Sequence, residues 1–135
     1  MTPRRFTLLA GLLVASLFIL VMYVIPFFYK TFTLEISPTE ARAKRFHLVI
    51  DVRTPQERDE WGYYPNSIPI SMNQLATKVP FALTTKHADL LVYANSDARA
   101  AIAAETLYDM GYHSVRYLKG SYLDLLPPGQ NHRRP

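Results

Sequence analysis

The chain has 135 residues, with 15 lysines and arginines, 11 aspartates and glutamates and no cysteine. This length suits one folded domain, and the lack of cysteine excludes disulfides, cysteine-ligated zinc and thiol nucleophiles. Three of the basic residues, Arg4, Arg5 and Lys30, flank the first apolar segment, and the rest of the chain is close to neutral. We therefore expect no nucleic-acid surface.

Residues 6–29 form an uninterrupted apolar segment after a short basic N-terminus, residues 1–5. Because a bilayer core needs about 20 apolar helical residues, we predict one transmembrane helix over residues 6–29, in contact with membrane lipid. Aromatic residues cluster near its end, as at a membrane interface, and include Tyr23 and Tyr29. Pro26 lies near the same end, where a kink or an early helix end is tolerated.

A cleaved signal peptide is the alternative interpretation, but its apolar core is only about 7–15 residues and is followed by small residues. The bulky residues from Phe27 to Lys30 favour an anchor that is retained. The immediate flanks favour a cytoplasmic N-terminus, whereas Arg42, Lys44 and Arg45 bring the basic residues on the two sides close to balance. The side of the membrane that carries the domain is therefore left open.

Helices and strands alternate after a predicted spacer, residues 30–36. Capping boxes with proline at the first helical position, SPTE at 37–40 and TPQE at 54–57, predict helices that end near Arg45 and at Gly62. A helix from Met72 to about Val79 is expected to end at Pro80. The alanine-rich residues 98–110 predict the longest helix, and a short last helix covers 121–126.

Apolar runs of strand length occupy residues 47–51, 68–70, 90–93 and 115–118. Continuous apolar runs of this kind are typical of buried parallel strands, and alternation with helices predicts an α/β fold. We expect one small domain over residues 37–126, with a mainly parallel central sheet flanked by helices. Residues 127–135 are expected to be a disordered tail.

Ligands of open α/β sheets bind beyond the carboxyl ends of the strands. Two segments have that position: one carries Asp51 and Arg53, and the other is the loop Ala94, Asn95, Ser96, Asp97, Ala98 and Arg99. Such a loop can turn its N–H groups inward and hold a small anion, or it can be an ordinary strand-to-helix connection. The four histidines, His47, His87, His113 and His132, are scattered, so neither a metal site nor a cofactor is expected.

The sequence resembles the rhodanese-like domain family over residues 35–126. LVIDVRTP at 48–55, followed by Glu57, is similar to the opening signature of that family, and GYYPNSI at 62–68 resembles its G-H-I-P-G-A-I segment. Residues 91–93 match the strand before the active-site loop, and LKGS at 118–121 follows the later part of the pattern. The order and spacing of these motifs together carry the resemblance.

The resemblance implies a sulfurtransferase fold, because active members carry sulfur as a persulfide on a loop cysteine. Related members use a Cys-x5-Arg loop as arsenate reductases or phosphatases. In this chain Ala94 occupies the nucleophile position, Arg99 the loop arginine and Asp97 a position often held by glycine. Tyr63 and Asn66 replace a histidine and a glycine of the second motif.

These departures predict a protein that is not an enzyme. Ala94 cannot carry sulfur or phosphate, and the carboxylate of Asp97 repels an anion by about 1 kcal/mol or more when partly desolvated. Ser96 is a substitute nucleophile without an obvious base nearby in the sequence. We expect Arg99 to pair with Asp97 or Asp51, and we expect Asp51 and Arg53 to tie the first loop to the second.

Three functions remain open. The favoured one is a membrane-tethered, catalytically inactive rhodanese-like module that binds or scaffolds an unidentified protein partner. The second is a non-cysteine enzyme or sensor that holds a small sulfur-, phosphate- or arsenate-type anion in the loop 94–99. The third is a small structural membrane protein in which the anchor is the active part.

Overall fold

Two compact units, Met1–Thr33 and Leu34–Pro135, make up the chain in a computed structural model that describes residues 2–127. The first unit is helical. Helix α1 spans Pro3–Ile19, a π-helical segment spans Leu20–Val24, and α2 spans Ile25–Leu34. The stretch Pro3–Tyr29 is long enough and apolar enough to cross a membrane, which confirms the predicted long apolar helix.

Pro26 does not end the helix, so of the kink and the early helix end that are tolerated at this position, the early end does not occur. A proline has no N–H to donate to the carbonyl one turn earlier, so the winding around it must change. The π-helical turn lies directly before it, and the N–H of Ile25 donates to the carbonyl of Leu20, five residues back. This wider turn lets the helix run on to Leu34.

The predicted spacer, residues 30–36, is wrong, because α2 extends to Leu34 and strand β1, Glu35–Ile36, follows at once. Leu34 and Ile36 are 1% and 6% exposed, so both side chains belong to the core of the second unit. A two-residue strand is too short to show alternation in the sequence. The second compact unit therefore begins at Leu34, shortly before the predicted domain, residues 37–126.

A five-stranded parallel sheet forms the centre of the second unit, in the order β1-β5-β4-β2-β3. The other strands are β2 Leu48–Asp51, β3 Ile68–Pro69, β4 Leu90–Tyr93 and β5 Val115–Leu118. Central strand β4 is buried along its whole length, as its continuous apolar run predicts. The register pairs Asp51 with Tyr93, so β2 and β4 end side by side.

Helices cover both faces of this sheet. They are α3 Pro38–Ala43, α4 Pro55–Trp61, α5 Leu75–Ala82 and α6 Asp97–Asp109. Both predicted capping boxes cap helices: the hydroxyls of Ser37 and Thr54 accept from the N–H groups of Glu40 and Glu57. One core cluster packs α5 and α6 against the sheet, and a smaller one contains residues of α3 and of a final 3₁₀ turn, Tyr122–Leu125.

Several predicted helix limits differ from those in the structure. Helix α3 ends at Ala43, before Arg45, and the last short helix is the 3₁₀ turn just described. Helix α5 follows a separate 3₁₀ turn, Met72–Gln74, and continues through Pro80. The proline is exposed, and burial of Val79 and Leu83 holds this part of the helix against the core. Residues 128–135 of the predicted disordered tail lie outside the described residues.

Candidate functional site

The carboxylate of Asp51, which is fully buried, lies at the carboxyl end of β2. Its Oδ1 accepts from the backbone N–H and the Nε of Arg53, at 3.0 and 2.9 Å. Its Oδ2 accepts from Arg53 Nη2, Arg58 Nη1 and the hydroxyl of Tyr93. Burial opposes ionisation, but the hydrogen bonds and the charge of Arg53 outweigh it and lower the pKa of Asp51.

Arg53 connects the two loops at the carboxyl edge of the sheet. It is 2% exposed, and its Nη2 donates to the carbonyl of Gly62 while its Nη1 donates to Oδ1 of Asn95. Its guanidinium carbon lies 5.4 and 5.3 Å from the ring centres of Tyr93 and Tyr122. This cation therefore lies near both rings and beside a carboxylate, and its bond to Asn95 connects it to the loop that follows β4.

The loop at residues 94–99 starts directly after β4 and ends inside the first turn of α6. Ala94 is 5% exposed, so its methyl group fills the base of the loop. Ser96 is the N-cap of α6, and its hydroxyl accepts from the N–H of Arg99. Asp97 Oδ1 accepts from the N–H of Gly120 at 2.8 Å, which joins the loop to the turn after β5.

Arg99 pairs with Glu57, and the expectation that it pairs with Asp97 or Asp51 is wrong. Its two terminal nitrogens donate to Oε1 and Oε2 of Glu57, at 2.9 and 3.3 Å. The carboxylate of Asp51 accepts from Arg53, and that of Asp97 accepts from the N–H of Gly120. Glu57 is fixed nearby because its Oε2 also accepts from the N–H of Thr54 in the capping box.

The ion pair changes the acidity of Glu57. Hydrogen bonds from the Arg99 guanidinium, together with the Thr54 N–H, lower the pKa of Glu57 to about 2. The carboxylate is thus charged across the ordinary pH range and balances the arginine charge. A loop whose arginine is neutralised in this way has weak attraction for a small anion.

An open cleft of about 540 Å³ lies in front of this loop. Its lining consists of Arg53, Trp61, residues 94–97 and residues 120–123. Trp61 and Leu123 are 56% and 52% exposed, which leaves apolar surface beside the polar loop. None of these described lining residues is a histidine, a lysine or a cysteine, and the carboxylate of Asp97, next to Ser96, already accepts a hydrogen bond from the N–H of Gly120.

Several residues of this cleft could not be found from the sequence. Trp61 ends α4 and Leu123 lies in the final 3₁₀ turn, and they are 62 positions apart. Tyr122 brings the two segments together, because its hydroxyl donates to the carbonyl of Trp61 at 2.9 Å. Gly62 has a φ of +74°, and an added Cβ there would lie 2.8 Å from that hydroxyl. A glycine after a capped helix was the only advance signal of this close approach.

Comparisons with known proteins place the chain in a family. The family model for the rhodanese-like domain matches residues 37–126. A solution structure of protein hp1203 from Helicobacter pylori is 30% identical, with a TM-score of 0.58, over 69% of this chain and 82% of that one. A structure described as rhodanese with anions from E. coli is 26% identical, with a TM-score of 0.52, over 60% and 93% of the two chains.

A third structure shows the same fold under a different name. It is a protein of unknown function from Rhodopseudomonas palustris, described as a possible tyrosine phosphatase, with 22% identity and a TM-score of 0.58 over 72% and 83% of the two chains. A search of the curated proteins finds none that matches. The motif order, the parallel sheet and the family match agree, and the chain belongs to the rhodanese-like domain family.

Proposed function

We propose that this protein is a membrane-tethered, catalytically inactive rhodanese-like module that binds or scaffolds a protein partner. One observation carries the proposal: the domain itself engages all the polar side chains of the loop in which Ala94 stands where the resemblance expects the reactive cysteine. The fold is kept while the group that would react is missing, and the chain has no cysteine to replace it.

The engaged loop argues against the second candidate, a site for a small anion. The Arg99 guanidinium is held by Glu57, and Arg53 is buried among Asp51, Gly62 and Asn95. Binding an anion here would require one of these pairs to separate, and it would bring the anion close to the Asp97 carboxylate. In a non-cysteine enzyme built on this loop, the charged side chains would therefore already be paired within the domain.

The tether rests on the N-terminal helix. Pro3–Tyr29 could cross a membrane by length and composition, and the bulky residues after Pro26 are unlike the small residues at a signal cleavage site. A retained anchor would confine the domain to a membrane surface. Confinement raises the effective concentration for a partner in the same membrane, so a modest affinity is enough for binding.

The cleft beside the loop is the surface that we assign to the partner. Tryptophan is enriched among the residues that anchor protein interfaces, and an exposed leucine beside it adds apolar area. Trp61 and Leu123 provide these side chains, and Ser96 and Ser121 add hydroxyl groups to the lining. Binding here would use the position of the lost reaction centre without any chemical step.

A turnover assay tests the loss of catalysis. The full chain in neutral nanodiscs is supplied with thiosulfate and cyanide, and thiocyanate formation is compared with that of a boiled sample. We expect no difference between the two, because no side chain can carry the sulfur. Turnover above the boiled sample would refute the proposal. Sulfate and phosphate titrated by calorimetry provide the second arm: millimolar binding that Arg99→Met abolishes would favour the anion site instead.

Site-specific crosslinking tests the partner surface. A photoreactive phenylalanine replaces Leu123 in one variant and Ile102 in a control, because the two side chains have similar exposure, 52% and 54%, and Ile102 lies on α6. In intact membranes we expect a discrete crosslinked protein from position 123 only. Equal products from both positions would contradict the cleft assignment. Loss of the product when residues 6–29 are exchanged for an unrelated transmembrane helix would favour the anchor as the active part.

A further inference from the structure

A second concave surface lies near the amino ends of the central strands, away from the loop after β4. This cleft of about 670 Å³ is lined by Leu48 and Val49 of β2, Leu91 of β4, and the segment that connects α3 to β2. Ala94, by contrast, follows the carboxyl end of β4, and it is not among the lining residues. We call this second surface the basic cleft.

Cations dominate the rim of the basic cleft. Arg42, Lys44 and Arg45 are exposed and line it, and none of its described lining residues is an aspartate or a glutamate. Lys44 is partly neutralised, because its Nζ lies 3.3 Å from Oδ1 of Asp89. Within residues 2–127, no carboxylate forms an ion pair with Arg42 or Arg45. These two arginines carry the unbalanced charge.

The floor of the basic cleft is apolar. Val49 is half-buried and Leu91 is 2% exposed, and both belong to the sheet face that packs against α3 and the final 3₁₀ turn. Phe46 and Tyr64 are half-buried and add aromatic surface to the same lining. A concave apolar floor under a rim of arginines is suited to a ligand that has apolar side chains and negative charge together.

We propose that the basic cleft binds an acidic protein segment that packs an aromatic or aliphatic side chain against Val49 and Phe46. Charge complementarity selects glutamate- or aspartate-rich sequence, because Arg42 and Arg45 can each hold a carboxylate in a bidentate pair. Concavity favours a protein segment over an anionic bilayer, since a planar surface meets the rim but leaves the floor empty. The inference concerns a different surface from the Trp61 cleft and stands independently of it.

A direct binding measurement tests this assignment. The probe is a fluorescein-labelled, glutamate-rich peptide with a central phenylalanine–leucine pair, and it is titrated with the full chain in phosphatidylcholine nanodiscs at low salt. Fluorescence anisotropy reports binding. We expect Arg42→Glu/Arg45→Glu to weaken the affinity by about tenfold or more, and about 0.5 M salt to weaken it similarly. Both arginines are exposed and unpaired among the described residues, so an unchanged unfolding midpoint should accompany the loss.

Matched controls separate this proposal from the proposed function. Trp61→Ala alters the other cleft, and we expect it to change the peptide affinity by less than about twofold. A peptide with glutamate but without the apolar pair should bind several-fold more weakly, because the floor is then unused. Three outcomes would overturn the assignment: no peptide binding, binding that survives the double charge reversal, or binding lost in Trp61→Ala alone. Tighter binding to phosphatidylserine vesicles than to the peptide would replace it by a membrane contact.

Discussion

The guanidinium of Arg99 donates to both carboxylate oxygens of Glu57, at 2.9 and 3.3 Å, and joins two segments that lie 42 residues apart. One partner stands in the first turn of α4 and the other in the first turn of α6. The pair thus closes the loop after β4 onto the loop after β2. It also uses the arginine that a small anion would need.

Removing this pair should cost a moderate amount of stability. We expect Arg99→Met to lower the free energy of unfolding by about 1 kcal/mol, because the pair is bidentate but partly exposed. Urea unfolding of the full chain in zwitterionic micelles, followed by the fluorescence of Trp61, the only tryptophan, measures the change. Arg42→Met is the matched control and should change stability by less than about 0.5 kcal/mol. Equal losses in both variants would contradict a specific role for the pair.

The stability should also depend on pH through Glu57. Its pKa is about 2 in the folded domain against an ordinary value of 4.5. Because the pKa is lower in the folded state, the ionised Glu57 stabilises the fold at pH values above about 4.5. That contribution is lost as the pH falls from about 4.5 toward 2. The pKa of Asp51 is lowered as well, and it contributes to the pH dependence of both chains. The contribution of Glu57 is therefore obtained by comparing the original chain with Glu57→Gln. The glutamine variant should lose less stability over this interval. Identical pH profiles would contradict the prediction.

Arg53 should be far more sensitive than Arg99. Arg53→Met leaves the buried carboxylate of Asp51 with weaker compensation, and we expect a loss of about 3–5 kcal/mol. Arg53→Lys should also destabilise, because an ammonium group cannot reach Asp51, Gly62 and Asn95 at once. The same urea measurement applies. A lysine variant as stable as the original chain would show that charge alone, and not the forked geometry, holds the two loops.

Gly62→Ala tests the contact that builds one wall of the cleft. The backbone φ is +74°, and the added Cβ would lie 2.8 Å from the hydroxyl of Tyr122. We expect a loss of about 1–3 kcal/mol from backbone strain and the displaced hydroxyl. Tyr122→Phe removes the close oxygen. Gly62→Ala should therefore cost less stability when it is added to Tyr122→Phe than when it is made in the original chain. Equal losses of stability in the two backgrounds would assign the whole effect of Gly62→Ala to backbone strain.

Tyr117 offers a test at alkaline pH. Burial, with Glu35 close to the hydroxyl, raises the pKa of Tyr117 to about 12 from 10.0. The folded domain then keeps a proton that the unfolded chain releases, so stability is lost as the pH rises from about 10 toward 12. Tyr117→Phe should flatten this loss, as measured by urea unfolding at several pH values. A profile that stays unchanged in the phenylalanine variant would contradict the prediction.

Sequence patterns anticipated most of the fold because each pattern depends on local chemistry. The capping boxes predicted two helix starts, and the apolar runs predicted β2, β4 and β5. The misses have local causes as well. Strand β1 is only Glu35–Ile36, too short for periodicity, and Pro80 stays inside α5 because Val79 and Leu83 are buried beside it. Packing of these two side chains against residues distant in the sequence outweighs the low helix propensity of proline.

The residues around the loop 94–99 were likewise predicted only in part from the sequence. The order of motifs in the sequence pointed to residues 94–99, a loop without a cysteine. The partner of Arg99 could not be read in that way, because Asp51, Glu57 and Asp97 are all carboxylates of the right charge. Parallel pairing of β2 with β4 decides the choice, since it places Asp51 beside Tyr93, within reach of Arg53 and Arg58.

The sequence by itself determined the lack of cysteine, the apolar N-terminal helix and the alternating α/β pattern, because composition and periodicity are properties of the chain alone. Only the tertiary structure decided how the charges are distributed. It pairs Arg99 with Glu57, buries Arg53 beside two tyrosines and leaves Arg42 and Arg45 at the rim of an apolar cleft. Such pairings depend on distances between residues far apart in the chain, which are set when the parallel strands align.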